Sequence, residues 1–340
     1  ANSDAEAAGA QVTNPIPVVR SASNTSAAVA RTAIAELIAE NNLDARAIQA
    51  WARSKLTERG IIHRKRDGVK IETVDSNYKM QFHPVPPGKF MMGEPGAQAV
   101  AILTHSIEVM STQVTQKMWF DLMKENPSYF RGPNHGDHPV ENVTWWSVVE
   151  YANRLSVKMG LKPAYDLSDV KFKAGTKAEG GTFEAESGAA IINASDGDIY
   201  RAEGYRLPTE AEAEYMLRAA GTVNSEYHFG DRKADLKNYA WYAANSDGQT
   251  HQIAELKPLT IDGRDFYDLH GNVSEWSHDW YEGLLQGGEN PKGSNSGSLR
   301  VIRGGGLYNY ALELRSALRD YGRPGTRNEG RGFRLVRTLK

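Results

Sequence analysis

Apolar positions follow two different periods along the chain, and the change falls near residue 70. Before it, Val29, Ala33 and Leu37, flanked by Ile34 and Ile38, recur at helical spacing, followed by Leu43, Ile48, Trp51 and Leu56, with breaks at Asn41-Asn42 and Gly60. This pattern predicts one or two short helices within a small appendage over 28–66. Beyond residue 70, short strand-like runs alternate with Gly/Pro turns, as in Met80-Gln81-Phe82 and in Val85 to Gly93. Three punctuated helices interrupt that regime. Thr115 caps the first, whose apolar face is Met118, Trp119, Leu122 and Met123, and Asn126-Pro127 stops it. Thr144 caps the second, with Val148, Tyr151, Ala152, Leu155 and Met159, ended by Gly160. Thr209 and Glu212 make a capping box for the third, predicted to run to Gly221.

Two stretches lack a clear period. Between Tyr165 and Tyr205 the chain is polar and rich in Gly, Ala and Ser, with alternating pieces such as Val170-Lys171-Phe172-Lys173, and reads as an inserted hairpin or extended loop. From 222 to 340, turn residues recur every few positions, so long irregular segments are expected.

Composition narrows the possibilities. The 340 residues are 40% hydrophobic and 24% charged, an ordinary globular balance that allows one large domain (70–340) plus a small module. A net charge of -2 gives no basic stripe for nucleic acid. No run reaches the ~18 apolar residues of a membrane span. Residues 1–27 are small, polar and Pro-containing. They read as a flexible leader of the kind that follows a removed signal peptide or a lipid anchor upstream of Ala1, which points to an exported protein: periplasmic, cell-surface or secreted. The chain has no cysteine, which excludes disulfides, thiolate metal sites and thiol catalysis together.

Seven pieces in register carry a resemblance. They are Val85 to Gly93, Gln113-Val114-Thr115-Gln116, Asn126-Pro127-Ser128-Tyr129-Phe130, His138 to Trp145, Gly204 to Glu212, Tyr267 to Trp276, and a closing frame of Arg303-Gly304-Gly305, Arg315-Ser316-Ala317 and Gly332-Phe333-Arg334. Together they resemble the formylglycine-generating-enzyme, or sulfatase-modifying-factor, family. The resemblance implies an α+β, C-type-lectin-like fold rich in irregular backbone. Loops leave many backbone groups to satisfy, so Arg303, Arg315, Arg319, Arg327, Arg331 and Arg334 are expected as structural clamps, the competing reading being an anion-binding groove.

Two structural calcium sites are candidates. Asp268, Gly271, Val273 and Glu275 sit in one tight stretch that offers carboxylates and backbone carbonyls to Ca²⁺, and the family's motif places calcium at the matching positions. The resemblance maps a second site to Asn238 and the Tyr239 carbonyl, with Asp247 and the Gln249 carbonyl. His135-Gly136-Asp137-His138 invites a transition-metal reading, against which stands a solvated loop. An iron site of the sulfoxide-synthase branch would need a helical domain with clustered His and Glu, whereas 28–59 contains no His.

The founding enzyme of the family binds copper through a cysteine pair. In register, the first cysteine position falls at or near Asn309 and the second around Ala311 to Leu312. Without thiolates neither a copper site nor formylglycine generation by the family's mechanism is expected. The segment instead carries Leu307, Tyr308, Asn309, Tyr310, Leu312, Tyr321 and Arg323, a candidate surface for a protein or other macromolecular ligand. Leu314 and Leu318 are equally suited to the core. The combination is similar to the variable proteins of diversity-generating retroelements, a non-catalytic branch. The expected function is therefore ligand binding. The rivals are an enzyme of another branch, such as the one acting in pyoverdine maturation, and a structural component of an envelope assembly.

Overall fold

The computed structural model describes residues 64–66, 69–71, 73–74 and 80–339, except 175, 177–182, 184, 188–189 and 195. The expected leader and the helical pattern of 28–59 lie outside the described residues. The last residues of the expected appendage, Arg64–Arg66, form a strand paired antiparallel with Val69–Ile71. That places the change of regime a few residues earlier than the apolar period indicated.

Three small sheets organise the domain. Met80–Val85 and Val336–Thr338 both pair antiparallel with Ile107–Met110, so the first and last long-range strands share one sheet. Gly88–Met92 and Ala99–Leu103 form a hairpin that buries Phe90, Met92, Ala101 and Leu103 on one face and exposes Met91, Val100 and Ile102 on the other. The third sheet has the order Asp320–Gly322, Arg300–Arg303, Ser274–Trp280, Arg331–Gly332. Its central strand, Ser274–Trp280, was hidden from the apolar pattern. It buries Glu275, Ser277 and Asp279; the Glu275 carboxylate pairs with Arg334 and the Asp279 carboxylate accepts the Glu210 N–H, so both carboxylates hold protein groups rather than face water.

The three helices start where their caps indicate. Helix α1 (Gln116–Met123) accepts Met118 N–H on Thr115, and α2 (Trp145–Lys158) accepts Ser147 N–H on Thr144. Helix α3 (Glu210–Leu217) carries the Thr209–Glu212 box. It ends one turn before Gly221, because Ala219, Ala220 and Gly221 take left-handed φ values of 51°, 53° and 74°. Trp119 of α1 stacks on Tyr151 of α2 at 5.2 Å, with the Phe333 ring edge-on to both. The 165–205 insertion forms two nested strand pairs, Tyr165–Asp166 with Ile191–Ile192 and Lys171–Phe172 with Ala185–Ser187. No helix among the described residues is long and apolar enough to cross a membrane.

Candidate functional site

The closing segment is held from below by its frame. Arg303 is buried; it donates to the carbonyls of Ala317 and Leu318 and to the Glu214 carboxylate, which also receives Arg218 Nε at 2.8 Å and Gly93 N–H at 2.7 Å. Gly304 has φ 86°, and a Cβ there would lie 2.9 Å from the Leu269 carbonyl oxygen. Arg319 forms a two-point ion pair with Glu210 and lies over the Tyr281 ring. Arg315 pairs with Glu94 at 2.8 Å, and the Arg331 guanidinium covers Trp276 at 4.7 Å. These arginines hold protein groups, as the clamp reading expects.

Set on this frame, the residues expected to bind ligand divide. Tyr308, Tyr310, Leu312 and Tyr321 are 49%, 74%, 52% and 48% exposed, and Arg323 is exposed as well. Leu307 does not belong to the surface. It is fully buried, its N–H donates to Asn272 O, and its carbonyl accepts from Ser246 Oγ. The alternation of a tight turn points it inward. Asn309 is half-buried and shapes that turn, its side-chain oxygen accepting Gly306 N–H at 2.9 Å while its carbonyl accepts Ala243 N–H. Leu314 is buried, closing a 3-10 turn, Ala311–Leu314, whose carbonyls accept Tyr227 Oη and His270 Nδ1 at 2.7 Å each.

The sequence reading missed two surface members. Tyr129, from the Asn126–Phe130 loop, is 69% exposed. The Tyr308 phenol is pushed above its ordinary value by desolvation first, then by Glu329, Tyr129 and Glu141. Tyr281 packs against Tyr321 with the ring centroids 4.4 Å apart and the planes tilted by 42°. Tyr129 was legible as part of a quoted motif. Tyr281 gave no signal, because only the fold brings it to the segment.

The two calcium expectations meet different surroundings. The carbonyls of Asp268, Gly271 and Val273 and the Glu275 carboxylate do converge, but on Gln113. Its side-chain nitrogen lies 3.2, 3.3 and 2.8 Å from the three carbonyls and 3.0 Å from Glu275 Oε1. The Asp268 carboxylate, expected as a ligand, turns away to accept Ala254 N–H at 2.9 Å, and burial raises its pKa to about 6. The donor set thus fits a hydrogen-bond donor already in place. In the second set, the Asn238 carbonyl accepts Lys257 N–H, the Lys257 ammonium lies over the Tyr239 ring, and Asp247 and Gln249 are exposed.

His135 and His138 lie with ring centroids 4.4 Å apart. His138 is lowered to about 4 by burial first and then by His135 and His251. Both are half-buried in a loop whose residues 131–134 and Asp137 are exposed, and no group of three or more His, Cys, Asp or Glu among the described residues is arranged to hold a metal.

Comparison with known proteins shows the family and the fold. The sequence profile described as "Sulfatase-modifying factor enzyme 1-like domain" matches residues 71–339. The chain is 31% identical over 184 residues to the chaperone protein LppX of Paenibacillus barcinonensis, covering 50% of this chain and 60% of that protein. It is 32% identical over 146 residues to the formylglycine-generating enzyme of Mus musculus, 39% of each chain. The matches thus span less than two thirds of either relative's own length. Among solved structures, Treponema denticola variable protein 1 superimposes with a TM-score of 0.63 at 28% identity, over 82% of this chain and 99% of that one.

Proposed function

Starting from the fact that this chain belongs to the family of sulfatase-modifying factor enzyme 1-like domains, with its C-type-lectin-like α+β fold, we propose that it is a non-catalytic binding protein that captures a protein ligand on its closing segment. One observation carries the reading. Within 303–323, frame residues such as Arg303, Leu307, Leu314 and Ser316 are buried, while Tyr308, Tyr310, Leu312 and Tyr321 are about half exposed or more. Large amphipathic side chains on a rigid support give contact area at low entropic cost. The same stretch carries no thiol with which to hold copper. The similarity to a protein called a variable protein supports the reading further.

A photo-crosslinking amino acid at position 310 tests it, with one at Val157, itself 64% exposed, as the control. The reading expects a discrete protein adduct from position 310 alone, lost when Tyr308 and Tyr321 are changed to Ala. Equal adducts from both positions, or turnover of a small substrate that survives both Tyr changes, would sink it.

A further inference from the structure

The family places a cation among the oxygens of the Asp268–Glu275 stretch. We propose that in this chain the carboxamide of Gln113 takes over that structural role, so that the cage closes without a metal. Four observations support this.

The first is convergence. Asp268, Gly271 and Asn272 all have positive φ, at 53°, 81° and 58°, which turns successive carbonyls toward one point. At Gly271 no side chain is possible, since a Cβ would lie 2.3 Å from the Trp241 carbonyl oxygen. Buried carbonyls gathered in this way need a donor or a cation. Gln113 Nε2 stands within hydrogen-bonding distance of all four oxygens and presents two partially positive protons to the lone pairs a cation would take.

The second is charge. Glu275 is already neutralised: Arg334 Nε lies 3.0 and 2.8 Å from its two oxygens, and Nη2 lies 2.7 Å from Oε1. Arg334 Nη2 also donates to the carbonyls of Tyr267 and Asp268 at 3.0 and 2.9 Å. With the Asp268 carboxylate directed at Ala254, a divalent ion would add two positive charges beside a buried guanidinium and meet no further anion in the cage. A neutral carboxamide leaves the Glu275–Arg334 pair balanced.

The third is orientation. Gln113 Oε1 is buried and has no hydrogen-bond partner. Rotating the amide by half a turn would aim that oxygen at four others. The cage therefore sets which end points inward, even though the outer end goes unsatisfied.

The fourth is anchorage. Gln113 is fully buried. The backbone of its neighbour Val114 is fixed on both sides, its N–H donating to Phe333 O at 3.0 Å and its carbonyl accepting Val140 N–H at 2.8 Å. The side chain enters the cage from a rigid base.

The test is metal content by inductively coupled plasma mass spectrometry, together with melting in EDTA or in calcium chloride. All arms are made on an Asp247→Asn background, which silences the second candidate site. The chain with Gln113 intact should carry no bound calcium and melt at the same temperature in both conditions. Gln113→Glu puts a carboxylate into the cage. It should acquire calcium dependence, its melting temperature rising by roughly 5–10 °C at about a hundredfold excess of calcium over its Kd. Gln113→Ala should lower the melting temperature by the same amount with and without calcium. Stoichiometric calcium in the Gln113 protein, stripped by EDTA with loss of stability and abolished by Gln113→Ala, would overturn the proposal, because the carboxamide would then be a ligand through Oε1. That arm decides alone if Gln113→Glu does not fold.

Discussion

Arg334 and Tyr310 belong to the same closing run, yet their surroundings are opposite. Arg334 is almost fully buried and bonds both oxygens of Glu275 and three backbone carbonyls. Tyr310 leaves 74% of its surface in water, and its backbone N–H is held by Glu313 at 2.7 Å. One region fixes the backbone through charges that cannot be removed singly. The other inherits that fixed backbone and contributes little to it. The contrast shows how a loop-rich domain can separate the residues that determine its shape from those that determine what it meets.

The largest expected effect lies on the buried side. Arg334→Ala leaves Glu275 without its counter-charge and should cost about 3–5 kcal/mol in urea unfolding. A loss under about 1 kcal/mol would mean that the pair is not part of the frame. Two leucines two residues apart give the sharpest internal contrast. Leu314→Ala should cost about 2–5 kcal/mol, whereas Leu312→Ala should stay within about 0.5 kcal/mol. Similar costs for the two would erase the boundary drawn here.

The buried side also carries the pH dependence. Asp279 accepts Glu210 N–H and is raised to about 8, by burial first and then by Glu210. Because its folded pKa exceeds its unfolded value, the stability it contributes is fully present below about pH 4 and is lost as pH rises toward about 8. Asp279→Asn should flatten that part of a stability–pH curve, and an unchanged slope would remove Asp279 from the account. The smallest effect is on the exposed side. The combined change of Tyr308, Tyr310 and Tyr321 to Ala should alter unfolding free energy by no more than about 1.5 kcal/mol, at about 0.5 kcal/mol each, while ligand capture disappears. A collapse of stability would make these tyrosines core.

Much of the scaffold was legible because its signals are local. Thr115, Thr144 and the Thr209–Glu212 box each identify a helix start within a few residues of sequence. The end of α3 was less legible, since Ala219 and Ala220 carry no sequence mark of the left-handed backbone they adopt. The strand Ser274–Trp280 was obscured for a physical reason. Apart from Trp276 its buried residues are polar, and the partners of their side chains are distant in sequence: Arg334 and Gln113 for Glu275, the backbone of Glu210 for Asp279, the Gly330 carbonyl for Ser274. The closing segment was readable as a mixed run, but not which way each side chain points. Leu307 and Leu312 look alike in sequence and lie on opposite sides of the surface. Gln113 was legible only as the first residue of the Gln113-Val114-Thr115-Gln116 piece, because its relation to Asp268–Glu275 exists only after folding.

The pairing of Met80–Val85 and Val336–Thr338 with the same central strand has a mechanical consequence. Both run antiparallel to Ile107–Met110 and therefore parallel to each other. Tension applied between Met80 and Thr338 pulls these two strands in opposite directions along their length. The ladder hydrogen bonds are then loaded together in shear instead of parting one at a time. The segment bearing Tyr308, Tyr310 and Tyr321 lies outside that load path, so a pull on the flanks of the domain is borne by the sheet while the tyrosine surface keeps its shape.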